Sequence, residues 1–309
     1  MGVYTQLSET EIKDYLTHFD LGELLHFEPI TTGIENSNYR VTTQRFDHKF
    51  YSILTLVEGE NTSRVPWVIE VMKHLSHYGL PIPKPRVHSK DGVNPELAGR
   101  PTLFMECLPG QHLETVQPSH CHQIGTQMGR LHSVATAISN TQPILFDSHW
   151  MTESFQMTQS HLSKSEAQIL SHAIEHYESL SISGLPRGLI HGDLFKDNVL
   201  FQDDSLVGML DFFHLSEDLW LMDLAIALND WCFDAQHRML TEHSAAMIQG
   251  YETFRPLEPE ERSQLPALRM IASARFALTR LETFDGNRFR KDPFDQITRL
   301  RQLSALSPN

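Results

Sequence analysis

Cysteine is scarce. Cys107, Cys121 and Cys232 are the three thiols of a 309-residue chain, far apart and odd in number. That excludes a disulfide framework and a zinc knuckle, and a reducing, cytoplasmic compartment is the expected setting. Long apolar runs are also missing. The longest, around Leu219 to Leu228, is short and broken by Asp223, so no membrane span is expected. The opening Met1-Gly2-Val3-Tyr4-Thr5 lacks the basic start and apolar core of a signal peptide. Gln6 stands where a myristoylation signal needs Ser or Thr. Positive charge is in deficit: 25 Lys and Arg face 39 Asp and Glu, a net charge of −14 with His neutral. Such a chain does not suit sequence-independent binding to nucleic acid or to anionic membrane. It suits a small cationic or zwitterionic partner, although most surface carboxylates only solubilise.

What is present is an ordinary globular composition, 40% apolar, enough for a packed core. Ser8 to Phe19 has helical periodicity, with Ser8 and Glu11 spaced as a capping box. A polar turn from Thr31 to Asn38 precedes strand-like Tyr39 to Thr43 and Phe50 to Val57. Arg64 to Tyr78 is helical and stops at Gly79. Pro81, Pro83 and Pro85 make an extended connector, and Pro101 to Leu108 reads as a strand. After that the chain is mainly helical: Pro118 to Ile138, Ser163 to Leu180, Leu219 to Phe233, His237 to Phe254 and Glu258 to Phe284. Short apolar strands interrupt at Gly188 to Ile190, Val199 to Phe201 and Leu206 to Leu210. Strands first and helices after predict an α+β fold. The change falls near Glu106 to Gly110 and divides residues 1–106 from residues 107–309.

The chemistry concentrates in His191-Gly192-Asp193-Leu194-Phe195-Lys196-Asp197-Asn198, set between two short strands. Thirteen residues after Asn198 comes Asp211, at the end of another strand. Phosphoryl transfer needs a carboxylate to take the acceptor's proton and oxygen ligands for Mg²⁺. Asp193 suits the first task. Asn198 and Asp211 suit the second, a sparse ligand set proper to a metal that arrives with ATP. Asp and Asn also favour turns for purely local reasons, but here order and context agree across several residues. His191 reads as a scaffold for the loop.

On these motifs the chain resembles the aminoglycoside-phosphotransferase-like superfamily, relatives of protein kinases that phosphorylate small-molecule hydroxyls. The resemblance implies a bilobal protein-kinase-like fold, with a small antiparallel-sheet nucleotide lobe and a mainly helical catalytic lobe. It rests on His191 to Asn198, on Asp211-Phe212-Phe213, on Asp223-Leu224-Ala225 and on the hinge-like Phe104 to Gly110. It implies that Asp223 braces the catalytic loop, that Gly33, Asn36, Ser37 and Asn38 cover the ATP phosphates, and that Glu106 and Leu108 flank adenine. Where kinases carry a strand Lys, this chain has Thr55 in Ile53-Leu54-Thr55-Leu56. That leaves Glu70 without its usual partner and the phosphates to Mg²⁺, loop amides, and Lys49 or Arg64.

Within the superfamily, four segments resemble the homoserine kinases of this fold: Gly33 to Tyr39, Ile53 to Leu56, Asp223 to Cys232, and Ala274 to Leu281. The resemblance implies that ATP phosphorylates L-homoserine, a step of threonine biosynthesis. The acceptor carries an ammonium, a carboxylate and a hydroxyl. Asp230 is the candidate for the ammonium. Arg275 and Arg280, five residues apart on one helix, are the candidates for the carboxylate, which a guanidinium matches bidentately. Two alternatives remain open: another hydroxyl acceptor (choline or ethanolamine, a methylthio-sugar, an aminoglycoside), and a nucleotide-binding pseudokinase, which the missing strand Lys motivates.

Overall fold

A computed structural model describes residues 3–31, 35–88, 90, 94–138, 141–180, 182, 184–284, 286 and 291–306. They divide into two compact units, residues 1–110 with 207–213, and residues 111–206 with 214–309.

The first unit starts with helix α1 (Glu9–Leu16). Ser8 caps it, and the reciprocal Glu11 bond of a capping box is made, satisfying amides that a helix start leaves bare. Strands β1 (Glu23–Pro29), β2 (Ser37–Arg45), β3 (His48–Leu56) and β4 (Thr102–Glu106) form one antiparallel sheet in that order. β2 and β3 are a tight hairpin in which Asn38 faces Thr55 and Arg45 faces His48. Tyr39, Val41, Leu54, Leu56 and Phe104 lie on the face of the sheet that packs with α1, where Ile12, Tyr15 and Leu16 complete a core. Helix α2 (Val65–His77) has Val68, Val71, Met72 and Leu75 buried along one stripe, the spacing a helix needs to bury one side. The unit closes on itself again near its far end, where the Met209 amide donates to the Pro81 carbonyl at 2.7 Å.

The second unit is mainly helical. It contains α3 (Pro118–Ala135), α4 (Ser148–Thr158) and α5 (Lys164–Ser179), then strands β5 (Arg187–Ile190) and β6 (Val199–Gln202). Asp203 and Asp204, both at positive φ, turn the chain into β7 (Ser205–Met209), which leads back to the first unit. Strand β8 (Ser216–Leu219) pairs antiparallel with β5. It runs into α6 (Trp220–Trp231), followed by α7 (Thr241–Glu252), α8 (Pro259–Leu281) and α9 (Phe294–Leu306).

Helix α6 is buried nearly all round, from Leu221 to Asn229, and so it is the axis about which the unit packs. The small side chains of Ala272, Ala274 and Ala277 line the buried middle of α8, which packs against it. Helices α3 and α7 approach more closely than ordinary side chains permit. A Cβ at Gly129 would stand 2.4 Å from the Tyr251 carbonyl oxygen, and one at Gly250 would stand 2.0 Å from the His122 carbonyl oxygen. Backbone atoms on both sides cannot retreat, so glycine is obligatory, and the close approach sets Tyr251 beside α3.

Several elements differ from the sequence expectation. Ser37 and Asn38 belong to β2, because the hairpin register continues to pair them with Leu56 and Thr55. Strand β8 takes Leu219 out of the helix that follows. Strand β1 and helix α4 were not anticipated, since each mixes exposed polar and apolar residues, and α9 was not anticipated although Ile297, Leu300 and Leu303 follow at helical spacing.

Candidate active site

The loop after β5 has a conformation that its sequence compels. Gly192 sits at φ +79°, and a Cβ there would meet the His214 carbonyl at 2.8 Å. A side chain would therefore suffer both left-handed strain and a clash. The amides of His191 and Gly192 donate to the two oxygens of Asp223, each at 2.9 Å. The Asp193 amide donates to His191 Nδ1 at 3.3 Å, so His191 holds the loop's backbone. Further along, the Lys196 amide donates to Asp230 Oδ2 (2.9 Å) and Trp231 Nε1 donates to the Leu194 carbonyl (2.9 Å). Helix α6 thus grips the loop at both ends, through Asp223 at its start and Asp230 and Trp231 at its end.

This grip presents Asp193 beside Asn198. The Asn198 amide nitrogen donates to the Asp193 carbonyl at 2.8 Å and to its carboxylate Oδ2 at 2.9 Å. With Nδ2 occupied, Asn198 keeps Oδ1 for a cation. His214 Nδ1 lies 3.7 Å from the same Asp193 oxygen. A carboxylate oriented by an amide donor, adjoining a hard oxygen, can receive a hydroxyl proton and serve a small divalent cation.

Behind the loop lies a buried chain of polar groups. His132 on α3 meets Asp223 Oδ2 through Nε2 at 2.9 Å and the Tyr251 hydroxyl through Nδ1 at 2.8 Å. Arg255 donates to that hydroxyl at 3.1 Å and to Glu261 at 2.7 Å. Burial pushes the His132 pKa below its ordinary value, against the pull of Asp223. Burial would raise the Asp223 carboxyl, but bonds from His132 and the loop amides outweigh it and hold the pKa low. The consistent assignment is a neutral His132 donating through Nε2 to a charged Asp223, with the Tyr251 hydroxyl donating to Nδ1. Each donor then has an acceptor.

The three residues assigned to the acceptor fare differently. Arg275 donates from both terminal nitrogens to Asp218 Oδ2, at 3.1 and 3.0 Å, in a pair removed from solvent. Its expected place on a substrate carboxylate is therefore corrected: the guanidinium is committed inside the fold. Asp230 accepts the Lys196 amide and lies 3.4 Å from Arg299, so its charge steadies the 191–198 loop and is not an open acid for an ammonium. Arg280 remains at the end of α8. It donates to the Asp292 carbonyl at 2.9 Å, and burial, then Arg299, hold its pKa below the ordinary value although Asp230, Asp295 and Asp193 oppose them. Sequence reasoning passed over Arg299 and Lys291. Lys291 bonds Asp197 at 2.8 Å.

In the first unit, Gly33 lies outside the described residues. Asn36 Oδ1 accepts the Glu58 amide at 3.1 Å, and Asn38 accepts the Thr55 hydroxyl at 2.6 Å. Thr55 is buried, so this hydroxyl joins two strands where a Lys would have projected. The Ser37 side chain belongs to the interior. It is fully buried, donates to Glu58 and accepts the amides of Tyr4 and Thr5, which leaves its backbone alone for a phosphate. Glu106 ends β4 with its amide on the Lys84 carbonyl, and Leu108 follows outside the strand. Asp211 is exposed at φ +62°, with Arg64 reaching the Phe213 carbonyl two residues on. Lys49 is exposed, and Glu70 pairs with Lys73 at 2.8 Å.

A four-stranded antiparallel unit and a mainly helical unit that carries the 191–198 loop make a protein-kinase-like α+β fold. Solved structures share it. Amicoumacin kinase hAmiN, solved with AMP-PNP, Ca²⁺ and Ami, superposes with a TM-score of 0.70 at 17% identity, covering 98% of this chain and 95% of that one. Choline kinase from Cryptosporidium parvum gives 0.72 at 15% identity, covering 96% of each chain. Residues 26–257 match the profile of the phosphotransferase enzyme family, and the chain belongs to that family. Its curated relatives include homoserine kinases. That of Granulibacter bethesdensis is 36% identical over 316 residues, covering 99% of this chain and 98% of its own. That of Methylobacillus flagellatus is 34% identical over 281 residues, covering 91% and 87%. Among the described residues no helix is long and apolar enough to cross a membrane.

Proposed function

We propose that this protein transfers the γ-phosphoryl group of ATP to the hydroxyl of L-homoserine, giving ADP and O-phospho-L-homoserine in threonine biosynthesis. One observation carries the acceptor: near full-length likeness to homoserine kinases, 34–36% identical in the two relatives above. The geometry of the 191–198 loop supports the chemistry.

In this reading Asp193 orients the acceptor hydroxyl and takes its proton as the oxygen bonds to the γ-phosphorus. The bond from that phosphorus to the β,γ-bridging oxygen breaks, and the oxygen keeps the electron pair and leaves as part of ADP. Asn198 through Oδ1, and Asp211 through its carboxylate, would hold the magnesium ion that accompanies ATP. These are hard oxygen donors in the small number Mg²⁺ accepts when phosphates and water complete its shell. The bound ion would supply charge neutralisation for the transferring phosphoryl group. Residues 1–106 would carry the nucleotide, with backbone from Asn36 to Asn38 near the phosphates and Glu106 and Leu108 near adenine. Residues 107–309 would carry acceptor and chemistry. Thr55 gives the phosphates no positive charge, and Arg64, which reaches the Phe213 carbonyl two residues from Asp211, would compensate. The three cysteines are free thiols, in keeping with a cytoplasmic setting.

The test is an ADP-release assay with Mg²⁺, ATP and a panel of acceptors: L-homoserine, choline, ethanolamine, a methylthio-sugar and an aminoglycoside. Homoserine should give the highest kcat/KM. A higher value for another acceptor would reassign the substrate, and Mg²⁺-dependent nucleotide binding with no acceptor turned over would favour a pseudokinase.

A further inference from the structure

We propose that Arg280, supported by Lys291, forms the anion site that receives the α-carboxylate of the acceptor. This rests on the amino-acid substrate proposed above and assigns the group that selects it.

The cations around the catalytic loop are not equivalent. Arg275 is neutralised by Asp218 at 3.0 Å in the interior. Arg299 is matched by Asp230 at 3.4 Å. Lys291 meets Asp197 at 2.8 Å, but that aspartate side chain is 57% exposed, and so open an ion pair is weak and readily shared. Among the described residues Arg280 has no carboxylate within ion-pair distance. Its partners are neutral: the Asp292 carbonyl at 2.9 Å and the Gln296 side-chain oxygen at 3.3 Å, in the amide orientation that also serves Arg299 at 3.2 Å. Neutral acceptors fix the plane of a guanidinium without cancelling its charge.

A cation turned this way and partly taken from water is costly until an anion arrives. Burial, and then Arg299, hold the Arg280 pKa below its ordinary value even though Asp230, Asp295 and Asp193 oppose them. The position also fits the substrate. Four bonds separate the hydroxyl oxygen of homoserine from its carboxylate carbon, roughly 4–5 Å at standard bond lengths. An anion site for it must stand close to the base. Lys291 reaches the loop that carries Asp193 through Asp197 at 2.8 Å, and Arg280 is tied to the same loop through Gln296, shared with Arg299, and Asp230, which accepts the Lys196 amide. The guanidinium fork matches a carboxylate with two parallel bonds, and Lys291 adds a second positive charge. An acceptor lacking the carboxylate would leave Arg280 uncompensated, which makes the site a device for selection. The bland alternative is that Arg280 only complements the C-terminal dipole of α8. In that case its removal would affect all acceptors alike.

The experiment compares L-homoserine with 3-aminopropanol, which keeps the hydroxyl and amine and lacks the carboxylate. Kcat/KM is measured for both with wild type, Arg280→Met, Arg280→Lys and Lys291→Met. Loss of a charged hydrogen-bonded contact predicts that Arg280→Met lowers the homoserine to aminopropanol ratio about 10- to 150-fold, mainly through the KM for homoserine. Arg280→Lys should recover part of that ratio, and Lys291→Met, near the surface and safe for folding, should lower it by a smaller factor. Equal losses for both acceptors, or an unchanged ratio, would overturn the assignment. Calorimetric binding of the two compounds separates this from the activity itself. Tight homoserine binding without phosphate transfer would refute the proposed reaction and support the anion site. Equal affinity of wild type for both compounds would refute the anion site.

Discussion

His132 and Asp223 meet at 2.9 Å with neither side chain reaching solvent. One carboxylate thereby accepts from a helix α3 imidazole and from two amides of the loop after β5. Asp223→Asn would replace one acceptor oxygen with a donor and leave buried N–H groups facing it. Each such group costs about 1–3 kcal/mol. The variant should unfold at lower urea and show kcat reduced at least about tenfold, read from denaturation curves and steady-state rates. Native stability with native kcat would remove the bracing role.

The same pair sets a pH dependence. Burial holds the His132 pKa below the 6.5 of an unperturbed histidine. Between the folded value and 6.5 the unfolded chain binds a proton that the folded chain does not. This group's contribution is therefore complete above pH 6.5 and is lost as pH falls toward the folded pKa, at about 1.4 kcal/mol per pH unit. Asp223, also depressed, acts in the same direction below its ordinary 3.8. Urea midpoints measured from pH 7.5 to 5.5 should fall more steeply for wild type than for His132→Asn. Parallel slopes would show that His132 titrates alike in both states.

Arg275 and Asp218 are expected to behave as a buried pair. Arg275→Met leaves a carboxylate unpaired in the interior and should cost about 3–5 kcal/mol, whereas Arg275→Met with Asp218→Leu should cost less than the single change. Equilibrium unfolding of the two variants decides it. A double variant less stable than Arg275→Met would contradict a simple pair.

Much of the architecture was legible because local chemistry and tertiary role coincide. The Ser8–Glu11 box, the stripe of α2 and the order of strands before helices each carry their signal in neighbouring residues. So does the 191–198 loop, where a left-handed Gly, a carboxylate and an amide must follow at fixed intervals. The acceptor end was legible only in part. Arg275 and Arg280 look alike in sequence, and only the fold reveals that Asp218, 57 residues upstream, occupies the first. Asp230 likewise looks like an open acid in the sequence because its partners, the Lys196 amide and Arg299, come from distant segments. One signal was passed over: Gly125 and Gly129 repeat at a helical interval ahead of His132, the pattern of a helix whose backbone is approached closely by another.

Asp193 is the proposed base. Asp193→Asn keeps the shape of the side chain and removes the base, so kcat should fall about 10²–10⁴-fold while the affinity for ATP stays within a few-fold. Native turnover in this variant would exclude Asp193 as base.

The reaction itself is tested most directly by phosphorus NMR of the wild-type protein with ATP, Mg²⁺ and L-homoserine. A new phosphomonoester resonance, growing in step with ADP and split by the methylene protons of the phosphorylated carbon, is the predicted result. ADP accompanied only by inorganic phosphate, or no ADP at all, would contradict it.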